Sequence, residues 1–451
     1  MAPPSSRTSL TVFGATGFTA RFIIQTIVEQ APSILREDPN FTWSIAGRKK
    51  ESLDKIVAGL QGKVSSSFLP KAVVADVKDQ ISLQRMAEGT QLVMNCVGPY
   101  AFLGEPVIKA VLSASESLRS SDEAPTDYID LCGEPAWIEE MVLRYQERAS
   151  RLGCSIIHAA AFDSVPSDLG LLYLKQQLIR KGATPTSAEV FVRLRAAPQA
   201  GMGIHYATYE AAVNGFSTRK QLGAVRKQLY SKLPKVKPSP VEQGLGSGLP
   251  SRKGSLGGMI NYVEEQGVYV IPFFFADPSI VRLGQSLDAH HSNGVPPVQF
   301  AFWIAIPSLP MLLLTITALT LFGLMASFSL GKSLLLKYPR VFSAGTVSHE
   351  GPSQAQLDGS SFTTTLIGRG YSENAVKDKA SGPDVKSIVR VSGPEVGYVA
   401  TPIIFVGVAR TILRERERVL NGTLTPATAL GQTGLVDKLN AEGKVSFSVV
   451  E

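Results

Sequence analysis

The sequence predicts an α/β protein: a Rossmann-type doubly wound parallel sheet with a second α+β domain and an apolar membrane-inserting segment. Three observations predict it. Residues 10 to 180 alternate short β-like runs with longer amphipathic stretches, the pattern of parallel strands joined by crossover helices. The first run opens into a glycine turn, GATGFTA, where the first βαβ unit belongs. From Ala289 to Gly331 there is no Asp, Glu, Lys or Arg.

Strand Leu10–Phe13 runs into Gly14-Ala15-Thr16-Gly17-Phe18-Thr19-Ala20, a G-x-x-G-x-x-A variant of the dinucleotide fingerprint, and a helix Phe18–Gln30 follows. Gly14 allows the tight turn, and Gly17 lets the backbone approach a pyrophosphate. Ala20 is small enough for the helix to pack closely on the strand. Gly14, Ala15, Thr16, Gly17, Phe18 and Thr19 are therefore the predicted cofactor loop, with the diphosphate on the positive end of the helix. The competing reading is a glycine-rich turn without a ligand.

The second strand, Thr42–Ala46, ends in Gly47-Arg48-Lys49-Lys50, where enzymes that hold NAD carry an acid. A guanidinium there forks onto a 2′-phosphate, so Arg48 predicts NADP over NAD. The alternative is a basic first turn of the helix Lys50–Gly59. The spacing from Gly14 is long, and APSILREDPN supplies the loop insertion. Asp76 follows the third strand, Ala72–Ala75, where a loop flanks the adenine. After a helix Ser82–Glu88, the fourth strand, Leu92–Val97, leads to Gly98, Pro99 and Tyr100 beside the expected nicotinamide. Tyr100 is the catalytic candidate, a phenol offered to a substrate oxygen; a structural aromatic lid is the other reading.

A helix Glu105–Leu112 then precedes the fifth strand, Tyr128–Leu131. Cys132 after it has no nearby His to activate it and is not read as a nucleophile. A helix Pro135–Arg151 leads to the sixth strand, Ser155–Ala159. His158 in that strand reads as a general acid or as a satisfied core histidine. Asp163 and Ser164 precede Pro166 and a helix Ser167–Arg180, so helix capping accounts for them.

Residues 1–180 form the predicted NADP-binding domain and 181–395 the second domain, with β-like runs at Ser187–Ala196, Gly267–Phe275, Ser361–Ile367 and Ser387–Val391. A last helix, Ile403–Leu420, carries the cluster RTILRERER, read as a solvated face. Composition excludes a disordered chain, because 44% of residues are hydrophobic and 18% charged. Three cysteines without a C-x-x-C pair exclude a disulfide framework and a zinc site, and fit a reducing compartment. The opening MAPPSSRTSL reaches a strand-like run within ten residues, so no secretory signal is expected.

The net charge of +7 is concentrated in a basic loop, 219–258. Arg219 to Lys253 holds nine Lys or Arg against Glu242 alone, and the rest of the chain is balanced. That pattern predicts no nucleic-acid partner for the body of the protein. The apolar segment 298–330 contains Met311 to Leu330, about the length that spans a bilayer's hydrocarbon, and ends at Lys332, Lys337 and Arg340. It reads as a helix or helical hairpin in lipid, or as a buried core helix. The basic loop favours lipid, since cations are drawn to anionic headgroups.

Taken together, GATGFTAR, SIAGRKKESL, NCVGPYAFLGEPVIKA, YIDLCGEPAWI, HAAAFDSVPSDLG, EGPSQAQLDGSSFTTTLIGRG, VSGPEVGYVATPIIFVGVAR and GTLTPATALG resemble the saccharopine dehydrogenase-like oxidoreductases, which include trans-acting enoyl reductases of bacterial glycolipid synthesis. The resemblance covers nearly the whole chain. It implies a C-terminal segment, 396–451, that packs back on the Rossmann domain, and an association with membranes or lipid droplets. The chain departs from the pattern at GMGIHYATYEAA, where relatives tend to have a Gly-Gly-Thr turn.

The expectation is an NADP-dependent oxidoreductase that reduces an enoyl or carbonyl group of a lipid-like substrate at the cytoplasmic face of a lipid droplet or the endoplasmic reticulum. Contact with that surface runs through 298–330 and 219–253, with a homodimer as candidate assembly and no metal. An amino-acid dehydrogenase acting on saccharopine and a non-catalytic NADP-binding adaptor are the alternatives.

Overall fold

The computed structural model describes residues 7–215, 219–252, 258–291 and 295–451. The side chains of Arg219 and Lys220, and Lys253, lie outside the described residues. The chain divides into two compact units, Met1–Val165 with Gly397–Ala441 and Pro166–Val396 with Glu442–Glu451.

In the first unit, β1 (Thr8–Phe13), β2 (Trp43–Gly47), β3 (Lys71–Val74), β4 (Thr90–Asn95), β5 (Asp127–Asp130) and β6 (Ser155–Ile157) form a sheet in the order β6-β5-β4-β1-β2-β3. Every pairing is parallel. β1 lies at the centre, where the strand order reverses, and its residues are buried along its whole length, as a sheet with helices on both faces requires. The helix Phe18–Glu29 buries Ala20, Ile23, Ile24 and Ile27, spaced three and four residues apart on one face.

The helix expected at Glu105–Leu112 runs from Tyr100 to Ser120. Its start is set by a distant residue: both carboxylate oxygens of Glu134 accept N–H bonds, from Tyr100 at 2.9 Å and Ala101 at 3.1 Å. Its apolar face continues through Ala114 and Leu118, which carries it eight residues past the expected end.

The second unit opens with the helix Val165–Arg180, so the division falls fifteen residues before the expected boundary at 180. The reason is packing within this unit. Leu174 and Leu178 lie against Gly368, and Gly170 against Leu366 and Val391. The strands are β7 (Ala183–Arg195), β8 (Ile204–His205), β9 (Asn261–Val263), β10 (Val268–Pro272), β11 (Gln299–Ile306), β12 (Val347–Ser348), β13 (Ser361–Ser372) and β14 (Val385–Pro394). The main sheet runs β14-β13-β7-β11-β10-β9, antiparallel except at β7–β11, while β8 pairs with β12.

Two expectations about this unit are corrected. The basic segment is not a loop throughout: a helix covers Arg219–Lys232, with Val225 and Leu229 buried, and Arg226 donates to Ser279 Oγ at 2.7 Å. Arg252 is withdrawn from solvent too, 2.6 Å from the buried Glu189, which Arg369 meets at 3.4 Å. Lys227, Lys232, Lys235 and Lys237 remain exposed. Secondly, the first half of the apolar segment is no arm of a helical hairpin. It is β11, whose Phe302, Ala305 and Ile306 are buried. Only the second half is a helix, Leu309–Ala326.

The C-terminal segment is shared. Helix Thr401–Arg414 packs on Phe18–Glu29, and β15 (Gly422–Leu424) adds a parallel strand outside β6. β16 (Ser446–Val449) instead pairs antiparallel with β14 in the second unit. The expected helix Ile403–Leu420 stops at Arg414, and only Arg414, Glu417 and Arg418 of its charge cluster are exposed. Arg410 is buried and donates to Gln30 at 2.8 Å, Ser33 at 2.7 Å and Glu37 at 2.6 Å. Arg416 lies 2.6 Å from the buried Asp127.

Candidate cofactor and active site

Gly14 leaves β1 with φ +86°, a left-handed conformation that glycine adopts without strain. Its N–H and that of Ala15 both donate to Ala46 O, at 2.9 and 3.1 Å, which draws the turn onto the end of β2. Gly17 N–H closes the turn on Gly14 O at 2.8 Å. A Cβ on Gly14 would stand 2.7 Å from Val97 Cγ2, so both the conformation and the space demand glycine.

Gly17 is the N-cap of the helix Phe18–Glu29, in extended conformation and with no side-chain cap, and the first turn holds no acid. Thr16 and Gly17 are exposed. The first N–H groups of this helix and its partial positive charge are thus open to an anion, with no side-chain cap competing for them.

Arg48 and Lys49 follow β2 two residues past the carbonyl that anchors the turn, and both are exposed. Lys50 is taken by Asp54 in an i,i+4 pair. Asp76 lies after β3, half-buried, and its Oδ1 accepts the Lys78 N–H at 2.9 Å, so it shapes its own loop. On the other side of β1, exposed Gly98 and half-buried Pro99 form the corner between β4 and the helix at Tyr100.

Tyr100 does not present the phenol that the sequence suggests. Its ring is buried against Trp137, with centroids 5.5 Å apart. The hydroxyl donates to Asn95 O at 2.9 Å and accepts from Leu131 N–H at 3.2 Å, so it ties β4 to β5. Burial, then the charge of Asp130, push its pKa well above the usual value.

Beneath the same strand ends lies a buried polar network. Asn95 Nδ2 donates to the Tyr128 hydroxyl at 3.0 Å, and that hydroxyl donates to Asp130 Oδ2 at 3.0 Å. His158 Nδ1 sits 2.6 Å from the same oxygen, while Asp130 Oδ1 accepts N–H bonds from Cys132 and Ala159, both at 3.0 Å. His158 is 1% exposed and tied through Nδ1 to Asp130, while its Nε2 is buried without a hydrogen-bond partner. Cys132 is buried, and burial holds its thiol far above the thiolate range, as expected of a cysteine that is no nucleophile.

Sequence reasoning assigned Asp163 to helix capping. In the structure this residue is exposed at the loop after β6. A Cβ on Gly133, in the loop after β5, would come within 3.1 Å of its Oδ2. The protein packed beside its carboxyl, then the charge of Asp130, pushes its pKa up to about 6. The available signal was its place: an acid in the loop after the sixth strand, at the carboxyl ends where such sheets bind ligands.

Residues 10–157 match the family model of the saccharopine dehydrogenase NADP binding domain. A rat saccharopine dehydrogenase-like oxidoreductase is 36% identical over 456 residues, covering 100% of this chain and 99% of the relative. The chain belongs to the saccharopine dehydrogenase-like oxidoreductases.

Other relatives carry more particular names. A Caenorhabditis elegans protein, 29% identical over 97% of each chain, is called a lipid droplet localized protein. An Arabidopsis thaliana relative, 30% identical over 98% of this chain and 96% of its own, is named as mitochondrial. A Mycobacterium tuberculosis protein named for trans-acting enoyl reductase is 26% identical over 96% of both. The fold is that of the yeast saccharopine dehydrogenase (L-Glu forming), with a TM-score of 0.53 at 10% identity, covering 98% of this chain and all of that one.

For a saccharopine dehydrogenase-like oxidoreductase the cofactor is NADP, and the residues fit it. A Cβ-free cradle at Gly14 and an uncapped, acid-free helix start suit the pyrophosphate. Exposed Arg48 and Lys49, in place of an acid after β2, suit the 2′-phosphate. The order β6-β5-β4-β1-β2-β3 assigns the adenine half to the β2–β3 side and the nicotinamide half to the loops after β4, β5 and β6.

Proposed function

We propose that this oxidoreductase reduces an enoyl or carbonyl group of a lipid-like substrate while docked on a lipid surface. The observation that carries the reading is the outward face of the helix Leu309–Ala326. Its inner face rests on its own unit: Leu312, Ile316 and Leu319 pack with Ile271 and Ile306, and Phe322, Met325 and Ala326 with Tyr209, Val213 and Leu335. The opposite face is equally apolar and has no cover among the described residues of its own unit, with Leu313 59%, Leu314 70%, Leu321 53% and Leu324 62% exposed.

Threonines in the helix do not spoil this face for lipid. Thr315 and Thr317 donate their hydroxyls to Met311 O at 2.7 Å and Leu313 O at 2.9 Å, so their polar atoms are satisfied within the helix. Phe328, Leu330 and Val341 continue the exposed apolar surface, and Lys227, Lys232, Lys235 and Lys237 in the same unit supply charge for anionic headgroups. A helix with one face on protein lies in the interface and does not span it.

The loops after β5 and β6 carry acids, Glu134 and Asp163, and neither supplies a cation for the carboxylates of saccharopine, which favours a lipid over an amino-acid substrate. Bound NADPH supplies the hydride. The enoyl or carbonyl class follows the resemblance to trans-acting enoyl reductases, and the lipid-droplet location follows the worm relative's name.

Untargeted lipidomics of a deletion strain, complemented with the full chain or with Gly14→Asp, tests the reading. The expected result is one unsaturated or carbonyl lipid class that accumulates on deletion, falls with the full chain and stays high with Gly14→Asp. An unchanged lipid profile would leave the adaptor reading in its place. Imaging of a tagged chain that reports mitochondria, with no lipid droplets or endoplasmic reticulum, would overturn the location.

A further inference from the structure

We propose that Asp163 is the acid–base residue of the reaction, the source of the proton that accompanies hydride transfer. The inference rests on the NADP-dependent reduction proposed above. It adds the residue that the sequence did not supply once Tyr100 is withdrawn.

The first support is elimination among the titratable side chains that close the nicotinamide half of the sheet. The Tyr100 hydroxyl is committed to the strand network, His158 is 1% exposed, and the thiols of Cys96 and Cys132 are pushed far up by burial. Glu134 spends both oxygens on the N–H groups of Tyr100 and Ala101. Asp163 is the exposed one of the set.

The second support is how its surroundings keep it open. Gly133 stands opposite with no Cβ, and any other residue would press within 3.1 Å of the carboxylate. Ala159 turns the same loop with φ +53°, a conformation uncommon outside glycine, fixed by its N–H bond to Asp130 Oδ1 at 3.0 Å. Loop and strand network therefore set where Asp163 stands.

Its protonation suits the role. The charged and titratable groups that act on it are the Asp130 carboxyl and the Cys132 thiol, and the loops after β5 and β6 hold no Lys or Arg. A carboxyl titrating near 6 still holds a proton in part of the molecules near neutrality and recovers one readily. As the new C–H bond takes the hydride and its electron pair from NADPH, the Asp163 O–H bond breaks. Its proton goes to the carbonyl oxygen, or to the α-carbon of an enoyl group. The carboxylate left behind takes a proton from water.

The inference is tested without a substrate. Only oxidised nicotinamide carries a positive charge, so a carboxylate beside it favours NADP⁺ over NADPH. The 2′-phosphate titrates in both cofactors and cancels in their ratio. With the full-length chain, titration calorimetry of NADP⁺ and NADPH at pH 5.5 and 8 measures the Kd ratio.

As Asp163 loses its proton over this interval, the ratio is expected to move about threefold toward NADP⁺. The shift should vanish in Asp163→Asn and persist in Asp163→Glu, with both variants matching the parent in thermal melting. An equal shift in Asp163→Asn, or no shift in the parent, overturns the inference while leaving the cofactor reading intact. Failure of both cofactors to bind overturns the two together.

Discussion

Among the described residues two helices are long and apolar enough to cross a membrane, and they have opposite fates. Over 18 residues the mean hydropathy is 2.1 for Leu309–Ala326 and 1.7 within Val396–Arg414, yet 11% of the first stretch is buried and 78% of the second. Hydropathy is nearly the same; cover is not. Thr401–Arg414 lies on the Phe18–Glu29 helix and turns a cation, Arg410, onto Glu37, so a polar group in an apolar helix marks a partner. Leu309–Ala326 has no such group, and half its circumference meets nothing in its own unit.

The largest expected effect tests this contrast with one substitution in each helix. Ile404 is fully buried, and Ile404→Asp puts a carboxylate among apolar atoms without a partner, at about 3–5 kcal/mol of stability. Leu314→Asp, on the open face, should cost under about 0.5 kcal/mol, while co-flotation with phospholipid vesicles falls severalfold. Urea denaturation followed by fluorescence of Trp43, Trp137 and Trp303 compares the two. A Leu314→Asp loss as large as that of Ile404→Asp would mean the face is covered, and the contrast would be gone.

The second effect concerns the polar anchor of the covered helix. Burial alone would raise the Glu37 pKa, but the hydrogen bond and charge of Lys438, then Arg410, hold it below the usual carboxylate range. A carboxyl depressed in the folded state contributes stability above its unfolded value near 4.3, lost as pH falls through the folded value. Glu37→Gln should therefore flatten the fall in stability between about pH 5 and pH 3. Arg410→Met, which leaves Glu37 without its closest cation, should cost about 2–4 kcal/mol at pH 7. An acid limb as steep in Glu37→Gln as in the parent would assign the anchor to other groups.

The same contrast explains what could be read in advance. The strand–glycine–helix opening, the parallel alternation and the missing acid after β2 are local patterns within a few residues, and the structure follows them. What escaped depends on residues far apart in the chain. Glu134 starts the helix at Tyr100 from 34 positions away, and Arg410 finds Glu37 across 373. The RTILRERER cluster looks solvated because its acids and cations seem to answer each other at short range. Instead Arg416 reaches Asp127 on β5. Asp163 escaped for a related reason: its neighbour Gly133 belongs to another strand's loop, so nothing beside it in sequence marks it as more than a cap.

The smallest expected effect asks whether charge assists the open face. Lys237 is exposed, and a cation near an anionic surface contributes roughly 1 kcal/mol. Lys237→Gln should thus weaken binding to phosphatidylserine-containing vesicles about fivefold at low salt and leave binding to neutral vesicles unchanged. Raising ionic strength toward 0.5 M should erase the difference, because the Debye length shrinks to a few ångströms. Leu314→Asp, by contrast, should weaken both vesicle types and resist salt, since apolar burial is not screened. If Lys237→Gln behaves as the parent on both vesicles while Leu314→Asp does not, the uncovered leucines act alone.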